Sequence, residues 1–234
     1  MSGVGTHRPL RYSTLAAWSS ELPAACLAGS LYAVPAAERS MSARALHDAG
    51  HGVHLDVIID ADGQHVGVTA AEVRDVRADL SDAVIDLHLI LLGENHRSTV
   101  ERARLTTQGI ELAREVRATC LTLPRAALAL ETAVQGIDLA LWQQLSPNEP
   151  TDLLAPATGG LLMLITPGTT DQADPSRLAL IPALTELGYP IGVDGGVTHA
   201  LALRAHELGA TRIVSGRALL RAGPPLENPL PDHP

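Results

Sequence analysis

The chain has 234 residues, 46% of them hydrophobic, and a formal net charge of −9, and all 17 of its basic residues are arginine. That apolar content can bury one core without demanding a second domain, and the acidic balance, with no basic run anywhere, argues against nucleic-acid binding. A chain without lysine also has no amine for Schiff-base aldol chemistry, pyridoxal phosphate attachment or a lysine general base.

Phe is absent, so Leu, Val, Ile and Ala are expected to fill the core. Cys26 and Cys120 are too few and too far apart for a disulfide framework or a cysteine zinc site, and a reducing cytoplasm is the expected location. The first residues show no charged region leading into a continuous apolar stretch, so no secretion signal is expected. No segment approaches the roughly 18 uninterrupted apolar residues that cross a bilayer, so no membrane association is expected.

In chain order, residues 1–25 read as an N-terminal extension. Eight short apolar runs follow, at 26–32, 52–58, 84–90, 118–123, 138–145, 161–165, 190–194 and 211–215. Between them lie helical patterns, notably 97–116 and 198–208. The second opens on Thr198, a residue able to cap free N–H groups, and stops at Gly209. Its Leu201, Ala202, Ala205 and Leu208 share one face. Residues 223–234 are rich in proline and read as an unstructured tail. Eight strands alternating with helices over 26–222 predict a closed (β/α)8 TIM barrel, with an open doubly wound sheet as its competitor. Neither GxGxxG nor a Walker A sequence follows any strand, which weakens the competitor.

Four of the polar residues in these apolar runs stand out together: His54 and Asp56 in GVHLDVII, His88 in AVIDLHLILL and Asp194 in PIGVDGG. Burying an unpaired carboxylate or imidazole among Val, Ile and Leu costs roughly several kcal/mol unless a partner or a cation compensates. His54 and Asp56 are two apart and point to one face of a strand. On a barrel, all four would lie near the C-terminal strand ends where such enzymes build their sites. Two imidazoles and two carboxylates suit Zn²⁺, and also Mn²⁺, Fe²⁺ or Co²⁺. The other reading makes each His a satisfied core residue and each Asp a strand-end cap; it weakens when it must hold for four residues at once.

Five motifs occur in order: His54-Leu55-Asp56-Val57, Asp86-Leu87-His88-Leu89, Thr166-Pro167-Gly168, Val193-Asp194-Gly195-Gly196-Val197 and Val214-Ser215-Gly216. Over about residues 27–220 the chain thereby resembles the ribulose-phosphate 3-epimerase family, a group of metal-dependent (β/α)8 barrels. The resemblance implies that His54, Asp56, His88 and Asp194 hold a divalent metal, zinc in the first place. It also implies that Asp56 and Asp194 are the acid/base pair, inverting C3 of a ketose phosphate through a cis-enediolate. D-ribulose 5-phosphate to D-xylulose 5-phosphate is the reference reaction, in the pentose phosphate pathway. Epimerisation of this kind needs a proton removed from one face and one delivered to the other, which two opposed carboxylates can do. Ser30 and Met163 correspond to residues that contact substrate, alongside His54 and His88. A strand-end hydroxyl and a core thioether are their plainer readings.

Phosphate, by the same resemblance, would sit on the turns carrying Gly168, Thr169, Thr170 and Asp171, then Gly195 and Gly196, then Gly216 and Arg217. Those turns also carry departures. The family's Pro-Gly-Phe-Gly-Gly-Gln reads Pro167-Gly168-Thr169-Thr170-Asp171-Gln172, a small residue after Gly216 becomes Arg217, and two pocket methionines become Ile58 and Ile90. The family's Asp-Gly after the second strand is displaced to Asp62-Gly63. A carboxylate in a phosphate cradle must point away or the substrate differs. Two alternatives stand beside the leading expectation: a 3-epimerase of another ketose or ketose phosphate, and a catalytically silent metal- or ligand-binding barrel. A small-molecule sugar phosphate is the expected partner, and barrels of this size often form homo-oligomers through their helices.

Overall fold

In the computed structural model of the chain, the structure describes residues 11–93, 97–130, 134, 136 and 138–225. Eight parallel strands close into a barrel: β2 (Leu27–Ser30), β3 (Gly52–Ile59), β4 (Ile85–Leu91), β5 (Cys120–Leu123), β6 (Leu141–Leu145), β7 (Gly159–Met163), β8 (Ile191–Asp194) and β9 (Arg212–Ser215). Each pairs with its neighbour in the chain, and β9 closes on β2 through Leu27 opposite Ile213. The expected barrel is the observed one, and the doubly wound alternative is excluded. All eight predicted runs are strands, most shortened by one to three residues at an end.

Helices α1 (Arg39–Asp48), α2 (Ala70–Asp79), α3 (Thr99–Glu115) and α4 (Arg125–Leu128) follow β2 to β5 in turn. A helix α5 (Ile181–Glu186) follows β7, and α6 (His199–Glu207) follows β8. Local chemistry starts these helices as the sequence requires: Ser98 and Thr198 accept the backbone N–H three residues on, and Thr69 forms a reciprocal capping box with Glu72. At the C-terminal ends of α2 and α3, the Arg77 guanidinium donates to five carbonyls, those of Leu80, Ser81, Ala83, Val116 and Arg117. No helix separates β6 from β7, where residues 146–158 run as turns.

Around the closed sheet, strand alternation divides the interior in two. Outward residues such as Leu55, Leu87, Leu121 and Val193 join the helices in the main core. Facing the lumen, Ala28, Leu161, Met163 and Val214 pack together with Trp142 against them. Deeper in the lumen, the buried Asp86 on β4 and the partly buried Arg212 on β9 form an ion pair at 3.2 Å across two intervening strands. Gly52 leaves room for it, since a Cβ there would stand 2.7 Å from the Arg212 Nη1.

Among the described residues, a ribbon rather than a helix follows the eighth barrel strand. β1 (Arg11–Leu15) pairs antiparallel with β10 (Leu220–Pro225), with Leu15 opposite Leu220, and β1 lies against α1. Residues 223–225, read from sequence as the start of an unstructured tail, therefore belong to a strand. Proline is tolerated because a two-stranded edge leaves part of the N–H row without a required partner. Residues 226–234 of that tail, and residues 1–10 of the extension, lie outside the described residues. Among the described residues, no helix is long and apolar enough to cross a membrane.

Candidate active site

The inward faces of β3, β4 and β8 bring the four polar residues together at the C-terminal end of the barrel. Register explains it: Asp56 stands opposite His88 across β3 and β4, and Ser30 stands opposite His54 across β2 and β3. Asp56 Oδ1 lies 3.2 Å from His54 Nε2 and 3.2 Å from His88 Nδ1. Asp194 Oδ2 stands 3.8 Å from each of the same two nitrogens, while its Oδ1 accepts the Gly195 N–H at 2.6 Å. Ser30 Oγ donates to Asp56 Oδ2 at 2.7 Å. His54, Asp56 and His88 are buried, and Asp194 is partly open to the cavity above.

One ligand atom from each of these four residues lies within 4.8 Å of every other. Bonds of about 2.0–2.2 Å to one cation set neighbouring ligand atoms roughly 3.0–3.6 Å apart. The N/O chemistry of the set suits a divalent metal ion, and the two 3.2 Å pairs of Asp56 already have such a spacing, while Asp194 stands a few tenths of an ångström wider. Electrostatics agree. Burial disfavours the imidazolium at His54, but the Asp56 carboxylate beside it, helped by Asp194, outweighs burial and raises the group to about 9. Burial likewise opposes ionisation of Asp56, yet His54 and His88 overcome it and hold its carboxyl well below the usual range. Asp194 is shifted the other way: burial raises it and the Asp56 charge adds to that, against the pull of His54.

Above the cluster opens a cavity of about 490 Å³. Of the residues expected at the site, Ser30, Asp56, Met163, Asp194, Gly168, Thr169, Thr170, Gly195, Gly196, Gly216 and Arg217 all line it. His54 and His88 sit behind the carboxylates and do not. Asp171 departs from expectation: it is exposed, lies off the cavity wall, and its Oδ2 accepts the Thr169 hydroxyl at 2.8 Å. The carboxylate that had entered the turn is thus tied to the Thr169 hydroxyl and takes no part in the cavity lining. Gly195 and Gly196 have φ of +96° and +66°, a left-handed pair that glycine alone adopts freely, just before α6 begins. Ile58 and Ile90, in place of the methionines, are on the wall too, and Asp62-Gly63 is not. Asp62-Gly63 forms instead the tip of a turn in which Asp60 Oδ1 accepts the N–H of Asp62 and Gln64.

Sequence reading passed over three participants. Tyr32 and Thr198 line the cavity. Gln144, inward on β6, accepts from His88 Nε2 at 2.9 Å through its Oε1, and its amide nitrogen donates to Ser146 Oγ at 2.8 Å. The signal for Gln144 was present, since LWQQL puts two glutamines side by side in a buried strand, and alternation sends one of them inward.

No family model and no curated protein sequence matches the chain. Solved structures do resemble it. Phosphoribosyl anthranilate isomerase from Thermus thermophilus superposes with a TM-score of 0.58 at 13% identity, covering 82% of this chain and 87% of that one. KGPDC from Streptococcus mutans gives 0.54 at 14%, over 83% and 89%. Orotidine 5'-phosphate decarboxylase from Pyrococcus horikoshii OT3 gives 0.54 at 15%, over 82% and 89%. At such identities the likeness is one of fold, and the fold is the TIM barrel.

Proposed function

We propose that the protein is a metal-dependent isomerase that inverts C3 of a ketose phosphate, with D-ribulose 5-phosphate as the reference substrate. The observation that carries this reading is the pairing of Asp56 and Asp194, carboxylates from separate strands that line one cavity directly over two imidazoles. A structural ion pair has no use for two acids opening on the same space. His54, Asp56, His88 and Asp194 would hold the ion, zinc before manganese, iron or cobalt. When bound, it supplies Lewis-acid stabilisation of negative charge on the substrate oxygens.

The chain's own groups supply the rest. One aspartate takes the C3 proton, and the other returns a proton to the opposite face of the planar cis-enediolate. Ser30, held on Asp56 Oδ2, fixes that carboxylate's rotamer. The Gly195-Gly196 turn, the α6 N-terminus and the exposed Arg217 guanidinium offer an anion seat on the same wall. The isomerase and the orotidine decarboxylase with this fold carry phosphate esters in their names, which supports a phosphorylated substrate. A second reading, a 3-epimerase of another ketose, draws on Ile58 and Ile90 on the wall. Stiffer branched chains there change the pocket's shape and leave the acids in place.

Solvent deuterium exchange tests both. Incorporation at C3 of ribulose 5-phosphate, lost by at least a hundredfold in Asp194→Asn, is the expected result. Incorporation only with a different ketose selects the second reading. Exchange with no ketose at all, in a zinc-loaded protein, would sink catalysis and leave a binding barrel.

A further inference from the structure

We infer that Gln144 is the positioning residue of the candidate metal centre, its amide carbonyl fixing the His88 ring so that the Nδ1 lone pair faces the cation. The inference rests on the metal reading above and adds a residue outside the four ligands. Neutral imidazole has one N–H and one lone pair, and the partner of one nitrogen decides the role of the other. His88 Nε2 meets Gln144 Oε1 at 2.9 Å, an acceptor, so the proton belongs on Nε2. Nδ1, 3.2 Å from Asp56 and 3.8 Å from Asp194, then keeps its lone pair for an ion. The amide itself is oriented: its nitrogen is engaged by Ser146 Oγ at 2.8 Å. Were the amide reversed, its N–H would face Nε2, and His88 would carry its proton on Nδ1, in the space a cation takes.

His54 has no such support, since its buried Nδ1 has no hydrogen-bond partner among the described residues. Of the two imidazoles only His88 is thus held from behind, by β6, a strand that supplies no ligand. Gln143, the next residue back, faces the other way, where its amide holds the Asp152 carbonyl and the Leu154 N–H. The two adjacent glutamines thus have different tasks, and only Gln144 belongs to the site.

Zinc affinity of the full chain, measured by competition with a chromophoric chelator, tests the inference without reference to turnover. Gln144→Met keeps the volume and removes the acceptor, and should weaken zinc about 10- to 100-fold. Gln144→Glu, which accepts the same proton, should stay within about threefold of wild type. In ¹⁵N spectra of the zinc-loaded protein, His88 should bind through Nδ1 and carry its proton on Nε2 in the wild type and in Gln144→Glu. In Gln144→Met, or in Ser146→Ala should Gln144→Met not fold, the proton should redistribute between the two nitrogens. Zinc affinity at the wild-type level in Gln144→Met overturns the role, as does a Gln144→Glu that falls as far as Gln144→Met. A wild-type chain that takes up no zinc at neutral pH overturns the metal reading, and this inference with it.

Discussion

Asp56 illustrates how one side chain is over-determined. Its Oδ2 accepts from Ser30 and its Oδ1 faces two imidazoles, so its rotamer is set from three strands. His54 pays for that company with a proton: raised to about 9, it is cationic at neutral pH, and a metal ion must displace that proton to bind. The sign follows. Zinc affinity should rise about tenfold per pH unit between pH 6 and 8 and level off as pH approaches 9, with about one proton released per ion, as calorimetry in buffers of different ionisation enthalpy would read. Affinity flat across that range would refute the coupling. In the chelator-treated protein the His54 charge stabilises the fold fully below about pH 6.5, and that contribution is lost as pH rises through about 9. The four residues of the candidate metal centre were legible in the sequence because charge inside apolar strands is conspicuous. Gln144 was legible only in part: LWQQL marks an inward amide in a buried strand, but which group that amide faces depends on the register of β6 against β4, which no local pattern carries.

Elements were legible to the degree that their signals are local. Helices α3 and α6 lie within the predicted 97–116 and 198–208, because caps and spacing are written in consecutive residues. The turn after β3 was not read as structure. Residues 64–68 fold back along the upper half of β3, where β2 has already ended: Val66 N–H donates to Ile58 O and Val68 N–H to Asp56 O. Gly67 passes so close that a Cβ would stand 2.3 Å from the Asp56 carbonyl oxygen and 2.7 Å from the Ile58 nitrogen, both backbone atoms that cannot swing aside. Gly67→Ala should therefore cost about 1–3 kcal/mol and weaken zinc binding by shifting Asp56. An alanine variant melting and binding as the wild type does would show that the strand yields at no cost. Periodicity could not reveal this, since the pairing partner is chosen by where β2 stops.

Across the whole molecule, closure of the barrel was readable from eight strand–helix units, while the manner of its completion was not. Trp18 is the clearest case: it is buried, stacks on His199 with ring centroids 5.3 Å apart, and its Nε1–H donates to the Ala218 carbonyl. An extension that looked separate is thus seated beside the loop that carries Arg217. Trp18→Ala should destabilise by about 3–5 kcal/mol, lowering the melting temperature by roughly 6–20 °C. A change under about 2 °C would mean the segment is not part of the folding unit. The β1–β10 ribbon has a further meaning. With Arg11 opposite Pro225, the described polypeptide leaves the barrel beside the point where it enters. The eight barrel strands therefore make a ring in which each has a neighbour on both sides, and β2 and β9 are distinguished only by the ribbon that enters and leaves between them.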